Sequence, residues 1–438
     1  MKFRELFLVV VLVLAGFVLF QFQTGKWSLD DINWIDDIGM SGQEVVAEET
    51  RTIEGPVPAA IEIANGHGAV EVRGADQDFV QMTFKKVVWR RKEEEARSVA
   101  AQIKYVLTAS PDKLVLATNG DEFRKKNFET VFILTVPRST AVTVTNSYGL
   151  VRVEAVREAN VRNKNGEVAV VDVAGPCVLE TSYDDLEARE IKGSCRIVNR
   201  NGDVLAASVA GDLSVETSYA HVRVEDIGGT ADVRASNTSV EARRVSGALA
   251  VDTSYEKVEL GDVGPAVVTG HNMTVVASGV RGDLEVRTSY EPVRVDGVAG
   301  KLVVEADNAS VTARGIDGPS ITVRTSYENV TLSDFSADVT VVCRNGNVNL
   351  EPRDLKRSLD VRSEYGRIDL LWPAGERARV EARAKGGSVN WGLPDKPDVD
   401  ETNGSAVIKA FSSEAAVPLV FLSTAYADIR IEEVARKF

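Results

Sequence analysis

The sequence predicts an all-β chain wound into a parallel β-helix, a β-solenoid with rungs of about 18 residues. Three observations predict it. First, a corner pattern recurs at Tyr148, Asn165, Tyr183, Asn201, Tyr219, Asn237, Tyr255, Asn272, Tyr290, Asn308, Tyr327, Asn345 and Tyr365, with almost all gaps between 17 and 19 residues. Fixed periodicity of this kind marks a stack of near-identical units. Second, apolar residues alternate with polar ones on either side of each corner. Around Tyr219 the columns are Leu213, Val215, Thr217, Val222, Val224 and Ile227. They recur as Leu284, Val286, Thr288, Val293, Val295 and Val298, and again as Leu302, Val304, Ala306, Val311, Ala313 and Ile316. A period of two means strands with one buried face. Third, a glycine closes most units, at Gly175, Gly193, Gly211, Gly229, Gly247, Gly282, Gly300 and Gly318. Glycine suits a corner that needs positive φ or a close backbone approach.

Two short strands and two corners bury too little to fold alone. Stacked at roughly 4.8 Å per rung, thirteen such units join their columns into apolar ladders along a rod about 60 Å long. A chain of hairpins with twice the period is the alternative arrangement. Alternation of large Tyr with smaller Asn lets each ring spread over its neighbours, and Asn tolerates left-handed backbone. The Tyr/Asn positions are therefore read as a structural corner column, with a ligand stripe as the other reading.

From the N-terminus, residues 1–23 read as a transmembrane signal-anchor. Lys2 and Arg4 precede an unbroken apolar run from Leu6 to Phe20, which places the N-terminus in the cytoplasm and the main body outside. A cleaved signal peptide is the rival reading, but no small-x-small site follows the run. Residues 24–55 are polar and acidic, with Asp30, Asp31, Asp36 and Asp37, and read as a linker. Residues 56–140 read as a small α+β N-terminal cap region. Ala60 to Arg73 looks like a first rung with Asn65-Gly66 at its corner, and Phe79 to Trp89 reads as a longer strand. Lys92 to Val106 has helical spacing at Ala96, Val99, Ala100, Ile103 and Val106. Lys113 to Ala117 and Thr130 to Val136 are two further strands. Residues 141–375 are the regular solenoid. Residues 376–438 are C-terminal rungs and a cap, with an insertion at 393–415 rich in Pro, Asp, Gly and Ser.

Composition narrows the function classes. The 438 residues carry a net charge of −14, with 6% aromatics and no basic stripe, so a general nucleic-acid binder is excluded. The three cysteines show no zinc-type spacing. Cys177 and Cys195 occupy one column in adjacent rungs, so a disulfide between them is possible in an oxidising compartment. Cys343 sits in a different inward column. The three histidines, His67, His221 and His271, lie in separate units and suggest no Ser/His/Asp arrangement. Asp184-Asp185 is the obvious local carboxylate pair. Glu256, Glu291 and Glu328 form an outward column roughly 10 Å apart by rung spacing, wide for a retaining glycosidase pair and marginal for an inverting one. Solvated strand-face charge accounts for both. No catalytic residue, cofactor or metal is implied.

Several segments resemble a known group. "ANGHGAVEVRG" at 64–74, "FILTVPRSTAVTVTNSYGLVRVEAV" at 132–156, and the serial units "NGEVAVVDV", "NGDV" and "TSYENVTL" are similar to the bacterial "putative adhesin" family of extracytoplasmic β-helix proteins. The likeness covers about 56 to 435, including the Val136-Pro137 strand before the first regular rung. It implies binding at the cell envelope and supplies no catalytic residue.

The functional expectation is a membrane-anchored, extracytoplasmic, adhesin-like rod of a bacterial envelope. Its partner would be an envelope polysaccharide or protein, with the N-terminal helix in the membrane. Alternatives are an envelope-stress or signalling accessory protein acting through a membrane partner, and a carbohydrate-active β-helix enzyme.

Overall fold

The computed structural model describes residues 43–54, 57–123, 127–402, 405–410 and 417–435. The signal-anchor at 1–23 and the linker up to residue 42 lie outside them. Among the described residues, no helix is long and apolar enough to cross a membrane.

Each repeat folds into two strands separated by the Tyr/Asn corner. In the unit around Tyr219 these are Leu213–Ser218 and His221–Ile227. Leu213 pairs with Cys195 in the rung before and with Ala231 in the rung after, always in parallel. Val222 pairs likewise with Val204 and Val240. Parallel pairing at a single-unit offset makes a solenoid of about 13 turns and leaves no place for 36-residue hairpins. First strands of successive rungs build one sheet, and second strands build a 19-stranded sheet facing it. The alternation of the sequence fills the space between them. Leu213, Val215, Val222, Val224 and Ile227 are all buried, as are their counterparts around Tyr290 and Asn308. Fully burying each such side chain contributes about 1.5–3 kcal/mol, and no single rung could hold them out of water alone.

The rung bends at a third place that the sequence reading lacks. In the second strand, inward Val224 is followed by two residues before inward Ile227. The second of these, Asp226, has φ 57°. The same column runs from Ala155 through Arg244 and Gly297 to Asp334, all at φ between 52° and 83°. Each is an extra residue in the manner of a β-bulge, turning the strand and returning alternation to phase. The closing glycines serve the close-approach role instead of the positive-φ one. A Cβ on Gly211 would lie 2.7 Å from the carbonyl carbon of Gly193 one rung below.

Both ends are interleaved. Ala60–Asn65 and Val70–Ala75 form a rung that sits second from the end, not first. On its outer side lie Lys113–Thr118 and Phe128–Pro137, and on its inner side Ala141–Tyr148 and Val151–Val156. Outside these, Val80–Arg90 and Gln43–Ile53 add antiparallel to one sheet, and Tyr105–Ala109 to the other. Thus the stretch read as linker contains an 11-residue strand. The C-terminal end mirrors this. Leu419–Thr424 and Ile429–Val434 slot between the rung at 359–373 and the rung at 379–392. The 393–415 insertion supplies antiparallel strands Asp398–Thr402 and Ser405–Ala410 on the outermost edge.

The single α-helix among the described residues runs Glu93–Gln102, with Ala96, Val99 and Ala100 buried. It stops short of the expected Val106. Ile103 has left helical geometry, and Val106 lies exposed in the strand Tyr105–Ala109. Strand pairing with Lys113–Thr118 outcompetes the helical spacing there.

Candidate functional site

The predicted corner residues fall between the two strands of their rungs, except Tyr148 and Asn165, which end the first strands of theirs. Behind them is a column of buried polar groups that shapes the corner. Thr253, Thr288 and Thr325 donate their hydroxyls to carbonyls of the rung below, at Thr238 (2.9 Å), Met273 (3.0 Å) and Ala309 (2.8 Å). Asn163 and Asn199 fill the same column with amide bonds to Gly166 (2.9 Å) and Gly202 (2.8 Å). Cys343 takes this place too, its Sγ 3.2 Å from the Gly346 carbonyl. The Thr of four Thr-Ser-Tyr triplets, at Thr181, Thr253, Thr288 and Thr325, is therefore a buried hydrogen-bonding group as well as part of an apolar column, while the Thr217 hydroxyl is buried without a partner.

In front of that column the two corner types differ. Asn165, Asn201 and Asn345 turn their amides back along the rod, donating to the carbonyls of Ser147, Ser182 and Ser326. The tyrosines project outward instead. Tyr148, Tyr183, Tyr219, Tyr255, Tyr290, Tyr327, Tyr365 and Tyr426 are each 50–69% exposed. The chain holds nine tyrosines, so all but Tyr105 stand on this one edge. The expected spreading of each ring over its neighbours occurs at the last pair, where Tyr365 and Tyr426 stack at 5.0 Å because the interleaved end brings their rungs together. At the other end His67 lies 5.0 Å from Tyr148 and 5.3 Å from Phe128.

The backbone carries a cost at this edge. Tyr219, Tyr255 and Tyr290 sit at φ 57°, 69° and 65°, and the intervening Asn237, Asn272 and Asn308 at 50°, 54° and 56°. Left-handed backbone costs an ordinary L-residue roughly 1–2 kcal/mol, and Asn is among the residues that bear it best. A bulky aromatic in that conformation, with about two thirds of its surface in solvent, has little burial to offset the cost. Strain held at an exposed position is a reason to look for a function.

Other candidates resolve into structure. Asp185 Oδ1 accepts the backbone N–H of Asp203 one rung above at 2.9 Å, and the Asp184 carbonyl accepts from Asn199. The same cross-rung carboxylate bond recurs from Asp212 to Thr230 and from Asp283 to Lys301. It holds the Asp212 carboxyl below the usual carboxylate range. Elsewhere the outward faces carry ion-pair ladders: Arg314 with Asp296, Arg287 and Arg324 with Glu305, and Arg353 with Asp317 and Asp334. Glu256, Glu291 and Glu328 are exposed, each directly following a tyrosine of the edge. His221 Nδ1 lies 2.7 Å from Ser239 Oγ, and His271 ends a strand on the surface. Cys177 and Cys195 are buried register partners held as free thiols, and mutual contact with burial pushes the Cys177 thiol far up. Among the described residues, no group of three or more His, Cys, Asp or Glu could hold a metal ion.

No protein-family model matches the chain. No curated protein matches it either. Among solved structures, it is similar to a crystal structure described as a "putative cell adhesion protein" from Clostridium sporogenes, at 9% identity over 89% of this chain and 100% of that one. The TM-score is 0.16.

Proposed function

We propose that the chain is an extracytoplasmic, adhesin-like rod, tethered to a bacterial membrane by its N-terminal segment, that binds or scaffolds at the cell envelope without catalysis. The observation that carries this reading is the exposed tyrosine edge, where Tyr219, Tyr255 and Tyr290 hold left-handed backbone with rings that are mostly exposed. The basic residues Lys2 and Arg4 before Leu6–Phe20 support the tether and its orientation. The antiparallel strands at both ends support a capping role, since an open solenoid end exposes its core and unpaired strand groups. Outward carboxylates engaged by arginines or backbone N–H groups support binding over hydrolysis. The partner is an envelope polymer or protein engaged along the tyrosine edge.

The test incubates the chain from residue 40 onward with envelope and host polysaccharides and with membrane-protein extracts, scoring retention and new chain ends. Retention without cleavage is the expected result. New chain ends that vanish in carboxylate variants would replace the reading with an enzyme. Crosslinking confined to one membrane protein would favour a signalling accessory.

A further inference from the structure

We propose that the ligand of the tyrosine edge is an extended, uncharged, linear glycan lying parallel to the rod axis, with every second sugar stacked on a tyrosine ring. The proposal rests on the binding-rod reading above and adds the chemical class of the ligand and its register.

The spacing argues for a polymer with a two-unit repeat. From Tyr148 to Tyr365 the rings occur on alternate rungs, so neighbours along the edge stand about 9.6 Å apart at the ordinary strand separation. That is close to the length of two hexose units in an extended β-linked chain, in which every second sugar presents the same face to the same side. Among the intervening asparagines, Asn165, Asn201 and Asn345 keep their amides turned along the rod, and this leaves space for the intervening sugar. The ring face suits the C–H face of a sugar, since apolar area and a polar handle meet on one flat side chain.

Charge narrows the class. Asp184, Glu256, Glu291 and Glu328 each follow directly on a ring and are exposed. Exposed Lys164, Arg200 and Arg344 directly precede the intervening Asn165, Asn201 and Asn345, so the edge carries both signs: its carboxylates accept and its cations donate hydrogen bonds to hydroxyls, and a polymer of one uniform charge meets repulsion along it.

The design of the corner supplies its own control. Asn occupies the tyrosine position in alternate rungs at the same backbone angles. The triple substitution Tyr219→Asn, Tyr255→Asn and Tyr290→Asn therefore removes the rings while giving each corner a residue it accepts. Full-length protein in detergent is titrated with cello-oligosaccharides and chito-oligosaccharides of increasing length, with polygalacturonate as the anionic arm. The expected result is affinity that rises with each added pair of sugars, as linked contacts predict. The triple variant should melt at the same or a higher temperature and bind at least roughly tenfold more weakly, from a few-fold per aromatic contact. A fall in melting temperature would show that the rings are structural and overturn the proposal. Unchanged glycan affinity in the variant would overturn the edge as the site while leaving the binding rod standing. Tighter binding of polygalacturonate would overturn the uncharged class. Failure of every oligosaccharide, with a protein partner or self-association lost in the same variant, would overturn the glycan and keep the edge. Failure of all of them with no partner would sink both readings.

Discussion

Val295 offers a sharp test of the register. It is 3% exposed and lies in the second sheet, paired in parallel with Ala277 below and Ala313 above. Flanked by two alanines, its side chain fills space that neither neighbour in the column can reach. Val295→Asp removes burial of roughly 1.5–3 kcal/mol and places a carboxyl among apolar side chains, which costs roughly 2–7 kcal/mol without a partner. A total of about 3.5–10 kcal/mol follows from those two terms. Burial favours the neutral acid, so the folded pKa of this Asp would lie above its unfolded value. A group raised in this way gives stability present at low pH and lost as pH rises. The variant should therefore be weaker at pH 7 than near pH 4, by about 1.4 kcal/mol for each unit of raised pKa. Urea unfolding followed by circular dichroism measures the loss, and hydrogen exchange locates it. Because rungs touch only their neighbours, protection should fall near residues 275–316 and persist at distant rungs. An unchanged unfolding midpoint would refute the register, and a uniform loss of protection would refute the nearest-neighbour picture.

Three further outcomes are expected. Gly211→Ala should destabilise by roughly 1–3 kcal/mol, the usual cost of an overpacked site, because its Cβ would meet Gly193 backbone at 2.7 Å. Gly261→Ala, where the nearest atom is 3.6 Å away, should change the thermal midpoint little. Acid should weaken the fold. Hydrogen bonds from Arg244 and Arg314 hold Asp226 and Asp296 below the ordinary 3.8, and the Ser388 N–H does the same for Asp428. These depressed groups give stability that is present above the unfolded pKa and lost as pH falls through the folded values, so melting temperatures in a pH series should decline as pH falls through that window. Deleting residues from 417 onward should strip exchange protection from 379–410, which would lose the rung that joins it to the rod, and spare 141–350.

Much of the fold was legible because the inward residues speak for themselves. Val222, Val224 and their counterparts are apolar at fixed offsets, and a parallel stack is the arrangement that joins them into a core. The bulge column was partly legible. The step of three from Val224 to Ile227 marks it, as do Gly279, Gly297 and Gly315, but residues as different as Asp226, Arg244 and Ser208 fill it elsewhere. No local rule could reveal that the rung at 60–75 lies inside the one at 113–137, since pairing order is a property of the whole stack. The strand at Gln43–Ile53 was hidden for a related reason. Its partner, Val80–Arg90, supplies the hydrophobic surface, and its own alternation is mostly exposed. At the edge, the sequence showed where the tyrosines stand and not that they face water. A corner column reads the same from the chain whether its rings lie flat or project.

That ambiguity has a physical resolution in the division of labour across the rung. Stability is carried by the inward columns, by the Thr and Asn bonds behind the corner and by the interleaved ends, which leave no terminal rung free to peel away in chain order. The corner position itself is asked only to tolerate left-handed backbone, and Asn does so at Asn237, Asn272 and Asn308. If the fold alone governed the column, tyrosine would be the poorer answer at Tyr219, Tyr255 and Tyr290, where it bears the same angles with its ring in water. Its recurrence on every second rung, at the same edge and for most of the rod's length, is what the proposed binding role would account for. A partner that touches several rungs at once would exert that pressure at a fixed spacing, and a long, repeating ligand is the simplest object that does.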